Sequence, residues 1–219
     1  MKLELTNICK FYDTEVGSIL DNLDLNIAEK DNIIIRGESG GGKTSLLKIL
    51  ALIDQNFTGS YKINGIDIKN MDQKTLINTR NSISYVFQEY GLMEKESAFY
   101  NISLPLLYKK LKKNEITEEV LEISKKLNIE KLLNRKVRSL SGGERQRVAL
   151  ARSLVKKSDI YVADEPFSSL NKEMVENVVN IIEREYGDKQ VIFVFHDIPE
   201  YLSKDYKIYT LKDKNLIIE

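Results

Sequence analysis

A glycine-rich segment has the residue types and spacing of a phosphate-binding loop. It consists of Gly37, Glu38, Ser39, Gly40, Gly41, Gly42, Lys43 and Thr44. The segment fits the pattern G-x-x-x-x-G-K-[ST], and an apolar run precedes it. In such a loop the backbone N–H groups point at phosphate oxygens, the lysine reaches the β and γ phosphates, and the threonine can bind Mg²⁺. A merely flexible turn would leave Lys43 and Thr44 unexplained.

Two acids that end an apolar run form a second candidate site. Residues 159–163 predict a buried strand, and Asp164 and Glu165 follow directly. Because ligands of nucleotide-binding sheets lie at the carboxyl ends of strands, we expect Asp164 to hold magnesium, usually through water. Glu165 is expected to act as the general base that polarises the attacking water. The alternative is that the acids only cap a turn, and the phosphate loop in the same chain favours the nucleotide interpretation.

A third segment, residues 140–147, reads Leu-Ser-Gly-Gly-Glu-Arg-Gln-Arg. Ser141 and Glu144 have the spacing of a capping box at the start of a helix. Capping alone does not explain Gly142 and Gly143, which leave the first N–H groups of that helix exposed and let an anion approach. We therefore predict an anion-binding helix start. We also predict that the Glu144 side chain folds back on the cap and faces away from the anion.

Together these segments resemble the ATP-binding-cassette (ABC) ATPases. The phosphate loop, Gln88 in Tyr-Val-Phe-Gln, the signature at residues 140–147, the acidic strand end and His196 follow that family's order over nearly the whole chain. A GTPase would need the guanine-selective Asn-Lys-x-Asp, whereas residues 171–174 read Asn-Lys-Glu-Met. The resemblance implies an ATPase that binds ATP and Mg²⁺.

The resemblance also implies roles for single side chains. His196 matches the switch histidine that contacts the γ-phosphate and orders the attacking water, although a lone histidine after an apolar run is more often structural. Gln88 matches the glutamine that approaches the metal and the water and senses the membrane partner. Tyr12 lies where the family stacks an aromatic ring on adenine, and the preceding residue, Phe11, is the alternative candidate for that role.

In that family each nucleotide is shared between two chains. The loop of one chain, extended to Ser45, and residues 141–144 of the other would hold one ATP between them. Two copies, or one copy and a similar ATPase, would meet head to tail around two ATP molecules. This chain departs from the family pattern at Glu144, where glutamine is usual, and at Asn171, where aspartate is usual.

Short strands and turns in the first third of the chain must position these segments. Leu3 and Leu5 alternate with polar neighbours, residues 23–27 repeat that period, and residues 32–35 form an apolar run before the phosphate loop. Residues 45–53 are helix-like. Alternation on both sides of Asn64-Gly65 predicts a tight hairpin over residues 61–68.

The rest of the chain alternates helices and strands. Residues 114–134 carry apolar residues near helical spacing among many charges, which predicts a surface helical lobe. Residues 174–186 predict a helix that stops at Gly187, and residues 191–195 predict an apolar strand. Buried strands joined by a helix imply a parallel sheet covered on both faces.

The predicted fold class is α/β, a P-loop NTPase of the ABC cassette type. It would have a mixed or parallel sheet core, an N-terminal antiparallel β subdomain and an inserted helical subdomain. One domain over residues 1–219 is expected, with a β-rich core lobe at about 1–88 and 156–219 and a helical lobe at about 89–155.

Charge and composition exclude several classes. The 33 basic and 33 acidic side chains leave a formal charge of zero, so a nucleic-acid partner is not expected. The single cysteine, Cys9, rules out a disulfide within the chain. The longest uncharged stretch, residues 97–108, is shorter than the roughly twenty residues of a bilayer span. We expect a cytoplasmic protein, because the amino end lacks the apolar core of a signal peptide.

The expected function is that of the ATP-hydrolysing subunit of an ABC transporter. It would dock on a separate integral membrane permease, peripherally on the cytoplasmic face of the plasma membrane. Residues 101–108 and the short length resemble the subgroup that serves macrolide or peptide exporters and lipoprotein release, so we expect a peptide, drug or lipoprotein-like substrate. The alternative is a cell-division ABC ATPase that transmits force to a membrane partner without moving a solute.

Overall fold

Strands are the main regular structure of the first structural unit, which comprises residues 1–83, 159–164 and 188–219. The structure, a computed structural model, describes residues 1–12, 17–109, 111–202 and 205–219. In chain order the strands are β1 (Leu3–Phe11), β2 (Ser18–Ile27), β3 (Ile33–Gly37), β4 (Thr58–Ile63), β5 (Ile66–Asp67), β6 (Ile83–Val86), β7 (Ile160–Asp164), β8 (Gln190–Val194), β9 (Lys207–Lys212) and β10 (Asn215–Ile218). Of β6, only Ile83 belongs to the first unit.

The amino-terminal sheet is antiparallel, with the order β2-β1-β4-β5. Leu3 and Leu5 of β1 are buried, as the alternating pattern predicts, and Leu5 pairs with Tyr61 of β4. The hairpin predicted at Asn64-Gly65 is present. Asn64 and Gly65 have φ angles of 51° and 82°, the positive values that a tight two-residue turn requires. The predicted antiparallel β subdomain is thus confirmed.

The second sheet is mixed, with the order β10-β9-β3-β8-β7-β6. β3 pairs in parallel with β8 and β9, and β7 pairs in parallel with β8. Every residue of β7 and β8 is buried, as expected for strands covered on both faces. β9 and β10 form an antiparallel hairpin that the apolar pattern does not predict.

Helices α1 (Lys43–Leu50) and α2 (Gln73–Asn81) also belong to the first unit. The segment predicted at residues 45–53 therefore begins and ends earlier than expected. Its N-cap is Gly42, at a φ of 97°, and Leu52, at a φ of 57°, has left the helical conformation. α2 has no buried residue, so no apolar stripe marks it in the sequence. A short 3₁₀ helix covers Ile68–Asn70.

Helices dominate the second unit, which comprises residues 84–158 and 165–187. They are α3 (Ala98–Leu107), α4 (Lys113–Lys126), α5 (Gly142–Leu154) and α6 (Lys172–Glu185), with 3₁₀ turns at Glu130–Leu132 and Val137–Ser139. α4 covers the first part of the helical segment expected at residues 114–134, which continues as a separate 3₁₀ turn, and α6 confirms the helix expected at residues 174–186 but starts two residues earlier. α4 packs on α3 and α5 through a face that includes the buried residues Val120 and Ile123. Within the described ranges, none of the helices has both the length and the apolar character of a membrane span.

Candidate nucleotide site

The phosphate loop connects the end of β3 to the start of α1, and two of its glycines are required by close packing. A Cβ at Gly37 would lie 2.4 Å from the carbonyl oxygen of Leu211, because β9 runs alongside the loop. A Cβ at Gly42 would lie 2.9 Å from Ile19, and the positive φ of Gly42 starts α1. The loop therefore approaches its neighbouring backbone more closely than any other residue type allows.

Lys43 lies inside the loop. Its side chain is buried, and the ammonium group donates hydrogen bonds to the carbonyl oxygens of Gly37 at 2.8 Å and Glu38 at 2.7 Å. The N–H of Gly41 donates to the same Glu38 carbonyl at 3.2 Å, which closes the loop into a turn. The solvent-exposed residues of the loop are Glu38, Ser39 and Gly40. A positive charge therefore lies within the glycine-rich turn, which suits an anion.

Thr44 and Asp164 form a compact pair of oxygen ligands. The Thr44 hydroxyl donates to Asp164 Oδ2 at 2.6 Å, and Asp164, the last residue of β7, is only 2% exposed. Hydroxyl and carboxylate oxygens are the ligands that Mg²⁺ prefers, and this ion usually takes only one or two protein groups beside phosphate oxygens and water. The described residues contain no cluster of three or more His, Cys, Asp or Glu side chains that could hold a metal ion. The Thr44–Asp164 pair fits a magnesium ion shared with a phosphate.

Tyr12 contacts the helix that follows the phosphate loop. Its hydroxyl lies 3.1 Å from Ser45 Oγ, and the residue is 61% exposed. Phe11, the alternative candidate for this role, is the last residue of β1, where it pairs with Ser18. The link from Tyr12 to α1 supports Tyr12 as the ring for the base, and this assignment stays a prediction.

His196 comes two residues after the end of β8. Its side chain is 67% exposed, and Nδ1 lies 3.4 Å from Asp197 Oδ2. Such exposure argues against the alternative that this histidine is a packed core residue. The imidazole is accessible to a ligand, as the predicted contact with a γ-phosphate requires.

In the second unit, Gln88 and Glu165 lie side by side. The Gln88 amide donates to Glu165 Oε2 at 3.4 Å. Glu165 has a φ of 45°, a left-handed conformation that is uncommon for a residue with a side chain. A strained backbone at a candidate general base fits a functional constraint on the direction of its side chain.

Gln146 supports that strained turn, a role that the sequence reasoning missed. Its side chain is buried in α5; Nε2 donates to the Glu165 carbonyl at 3.4 Å, and Oε1 accepts the N–H of Ser169 at 2.7 Å. The sequence does carry one indication of this role. Gln146 is a polar residue two positions after Glu144, on the face of the capped helix that is expected to be buried. The amide ties the signature helix to the chain that follows the candidate base.

The capping box at the start of α5 is present. The Ser141 N–H donates to Glu144 Oε2 at 2.7 Å, and the Glu144 N–H donates to Ser141 Oγ at 3.3 Å. The hydrogen bond from the Ser141 backbone holds the pKa of Glu144 below its usual value, with Arg135 as a weaker electrostatic contributor. The prediction that Glu144 folds back on the cap is confirmed.

The two signature glycines differ in their surroundings. A Cβ at Gly143 would lie 2.9 Å from the Ser169 carbonyl oxygen, so packing already requires a glycine there. A Cβ at Gly142 would make only ordinary contacts, the nearest at 3.8 Å. Packing therefore does not explain why residue 142 is a glycine.

Asn171 is the N-cap of α6, and its Oδ1 accepts the N–H of Met174 at 3.0 Å.

Comparison with known proteins identifies the family of this chain. Residues 20–168 match the model of the ABC transporter family. The chain is 32% identical to the uncharacterized ABC transporter ATP-binding protein YvrO of Bacillus subtilis, over 99% of this chain and 96% of that protein. It is 30% identical to the macrolide export ATP-binding/permease protein MacB of Hyphomonas neptunium, over 98% of this chain but only 34% of that longer protein.

A solved structure extends the agreement to the whole fold. The dimeric post-hydrolysis structure of the ATP-binding cassette MJ0796, bound to ADP and Pi, superposes with a TM-score of 0.90 at 32% identity, covering 99% of this chain and 97% of that one. The predicted fold class is thereby confirmed. This chain belongs to the ABC transporter family, in which it is an ATP-binding cassette ATPase.

Proposed function

We propose that this chain is the ATP-hydrolysing subunit of an ABC transporter and that it works as a head-to-tail pair around two ATP molecules. The observation that carries this proposal is the phosphate loop with Lys43 inside it and the Thr44–Asp164 pair beside it. A lysine, a hydroxyl and a carboxylate in this order are what a magnesium-bound triphosphate requires.

Each part of the nucleotide has its own group of residues in this proposal. The loop from Gly37 to Ser45 binds the phosphates through backbone N–H groups, and Lys43 pairs with the β and γ phosphates. Tyr12 stacks on the adenine ring. Thr44 and Asp164 would hold Mg²⁺, with Gln88 approaching it. When bound, that ion supplies positive charge that offsets the charge developing on the phosphates.

Hydrolysis then needs a base and a contact to the γ-phosphate. Glu165 accepts a proton from a water molecule as the water oxygen bonds to the γ-phosphorus and the bond from that phosphorus to the ADP oxygen breaks. The amide of Gln88, 3.4 Å from this carboxylate, helps to hold it and the water in place. His196, on an exposed segment after β8, contacts the γ-phosphate and orders the same water.

The start of α5 completes the site of a second chain. Gly142 and Gly143 present the first N–H groups of that helix after the N-cap Ser141, and the helix dipole favours an anion there. MJ0796 is dimeric in the superposed structure, which supports this arrangement. Loss of the γ-phosphate removes charge-assisted hydrogen bonds between the two chains, so the pair reopens after hydrolysis.

We further propose that the pair drives a separate membrane permease in export. MacB is named as a macrolide exporter that combines ATP-binding and permease functions, and this chain corresponds to about a third of its length. The chain would lie at the cytoplasmic face of the plasma membrane through this permease. A drug, peptide or lipoprotein-like substrate fits this relative. A membrane partner that co-purifies with the chain but moves no solute would instead indicate force transmission.

The variant Glu165→Gln tests the mechanism. It keeps the shape of the side chain but cannot take a proton, so it should bind ATP and hydrolyse it at least about 100-fold more slowly. It should also accumulate as an ATP-dependent dimer on gel filtration. The control Glu165→Gln with Lys43→Ala should stay monomeric because it cannot hold the phosphates. Unchanged turnover in Glu165→Gln would refute the assignment of the base.

A further inference from the structure

A buried lysine lies under the ring that we propose to stack on adenine. Lys10 of β1 is 2% exposed, and its ammonium nitrogen lies 5.0 Å from the centroid of the Tyr12 ring. The same nitrogen lies 2.8 Å from a carboxylate oxygen of Asp54 and donates to the carbonyl oxygen of Asn56 at 2.6 Å. A carboxylate, a carbonyl group and a ring therefore surround one buried charge.

This arrangement is not what stability of the fold alone favours. Taking an ammonium group out of water is costly, and a buried ion pair is often no better for stability than apolar residues of the same size. Neither Lys10 nor Asp54 belongs to the phosphate loop or to the groups that act on the attacking water. What distinguishes the pair is its contact with Tyr12.

We infer that Lys10 is a positioning residue for the nucleobase. Asp54 and Asn56 hold the ammonium group against one face of the Tyr12 ring, while Ser45 holds its hydroxyl. Tyr12 is 61% exposed, so part of its side chain is open to a planar base before the nucleotide arrives. This inference rests on the proposed function, because it assigns to Tyr12 a base as its ligand.

Two physical effects give Lys10 its influence on binding. A ring that is already oriented loses less rotational freedom when the base stacks on it. The cation also attracts the ring electrostatically and keeps it in that orientation. Both effects act on the base and not on the phosphates, so the loss of Lys10 should weaken only ligands that carry a base.

The test compares a ligand with a base and a ligand without one. The dissociation constants of the non-hydrolysable β,γ-imido analogue of ATP and of inorganic tripolyphosphate, both with Mg²⁺, are measured calorimetrically. Lys10→Met should weaken the ATP analogue about 2- to 30-fold. Tripolyphosphate affinity should stay within about 2-fold of wild type, since that ligand has no base to stack.

Two further variants test whether the loss comes from an unpaired Asp54 or from removing any lysine near an aromatic ring. Lys10→Met with Asp54→Asn leaves no unpaired carboxylate beside the lost ammonium group, so it should fold and show the same selective loss. Lys69→Met is the matched control, because Lys69 lies 5.7 Å from the Phe57 ring centroid and donates to the Gly59 carbonyl elsewhere in the same unit. Lys69→Met should change neither affinity.

The Tyr12→Ala background separates this inference from the proposed function. Tyr12→Ala alone should weaken the ATP analogue, and adding Lys10→Met to it should cause no further loss. If Tyr12→Ala has no effect, the base assignment of the proposed function is wrong. If Tyr12→Ala weakens binding but Lys10→Met does not, or weakens both ligands equally, the positioning role of Lys10 is wrong.

Discussion

At the scale of single residues, the acid in the signature segment is the clearest departure from the family pattern. A negative charge at the start of α5 would repel an approaching phosphate if it pointed outward. Instead Glu144 accepts the N–H of Ser141 at 2.7 Å, and Arg135 lies 3.8 Å from the other carboxylate oxygen. The carboxylate therefore serves the helix cap, and its charge also interacts favourably with the helix dipole.

Glu144→Gln should accordingly have little effect on catalysis. Glutamine can make the same capping hydrogen bond, so steady-state ATP turnover should stay within about 3-fold of wild type. The control Gln146→Glu places an acid two positions further along the same helix, where it replaces a buried amide that contacts the Glu165 turn, and should reduce turnover strongly. A gain of about tenfold or more in Glu144→Gln would show that the acid hinders the phosphate and that the capping account is wrong.

The effect of Glu144→Gln on the melting temperature should depend on pH. Because folding lowers the pKa of Glu144, its carboxylate adds stability at pH values above the ordinary glutamate pKa of 4.5, and this contribution is lost as the pH falls through the lowered folded value. The melting temperature of wild type should therefore exceed that of Glu144→Gln near pH 7, and the difference should shrink as the pH falls to about 3. A difference independent of pH would contradict the cap as the cause.

At the scale of elements, the phosphate loop depends on the strand that runs beside it. Gly37 ends β3 and pairs with Leu211 of β9, which comes 174 positions later in the chain. The missing side chain lets the two backbones approach, and the loop then turns directly into α1. The shape of the loop is thus set by a pairing with a strand near the carboxyl end as well as by its own glycines.

Gly37→Ala should disrupt this pairing. The added Cβ would lie 2.4 Å from the Leu211 carbonyl oxygen at a φ of 149°, so we expect a loss of about 2–5 kcal/mol in the free energy of unfolding. Gly65→Ala is the control, since its φ is also positive but nothing lies within 4 Å of the added atom. That change should cost about 1–2 kcal/mol. Urea denaturation measures both, and equal losses would show that the Leu211 contact is unimportant.

At the scale of the whole molecule, the candidate site residues are divided between two structural units. The phosphate loop, Asp164, Tyr12 and His196 belong to the first unit, while Gln88, Glu165 and the signature belong to the second. The phosphate loop and the start of α5 both suit phosphate, so each is half of a nucleotide site. In a symmetric dimer, the loop of each chain can meet the α5 start of the other, which forms two complete sites. The boundaries of the two lobes expected from the sequence stay a prediction.

Mixing two inactive variants tests whether the half-sites come from different chains. Lys43→Ala lacks the phosphate-binding charge, and Ser141→Arg blocks the helix start, so each alone should hydrolyse ATP at a small fraction of the wild-type rate. In an equal mixture about half of the dimers are mixed, each with one intact composite site, so about a quarter of wild-type turnover should return. No recovery in mixtures that form mixed dimers would place each site within one chain.

The chemistry was readable from the sequence because it is carried by local patterns. The phosphate loop, the acids at the end of a buried strand and the Ser141–Glu144 cap each lie within eight consecutive residues, where backbone geometry follows from residue type. The Asn64-Gly65 hairpin was predicted for the same reason. α3 was not predicted as a helix, because Pro105 lies inside it and proline usually signals a helix end.

Contacts between distant residues were decided by the tertiary structure. Thr44 and Asp164 are 120 positions apart, Gln88 and Glu165 are 77 apart, and Lys10 and Asp54 are 44 apart. Such pairs depend on the order of strands in the sheet and on which side chains become buried together, and no local pattern encodes either. The sequence alone determined which groups act on phosphate; the fold determined which side chains hold those groups in position.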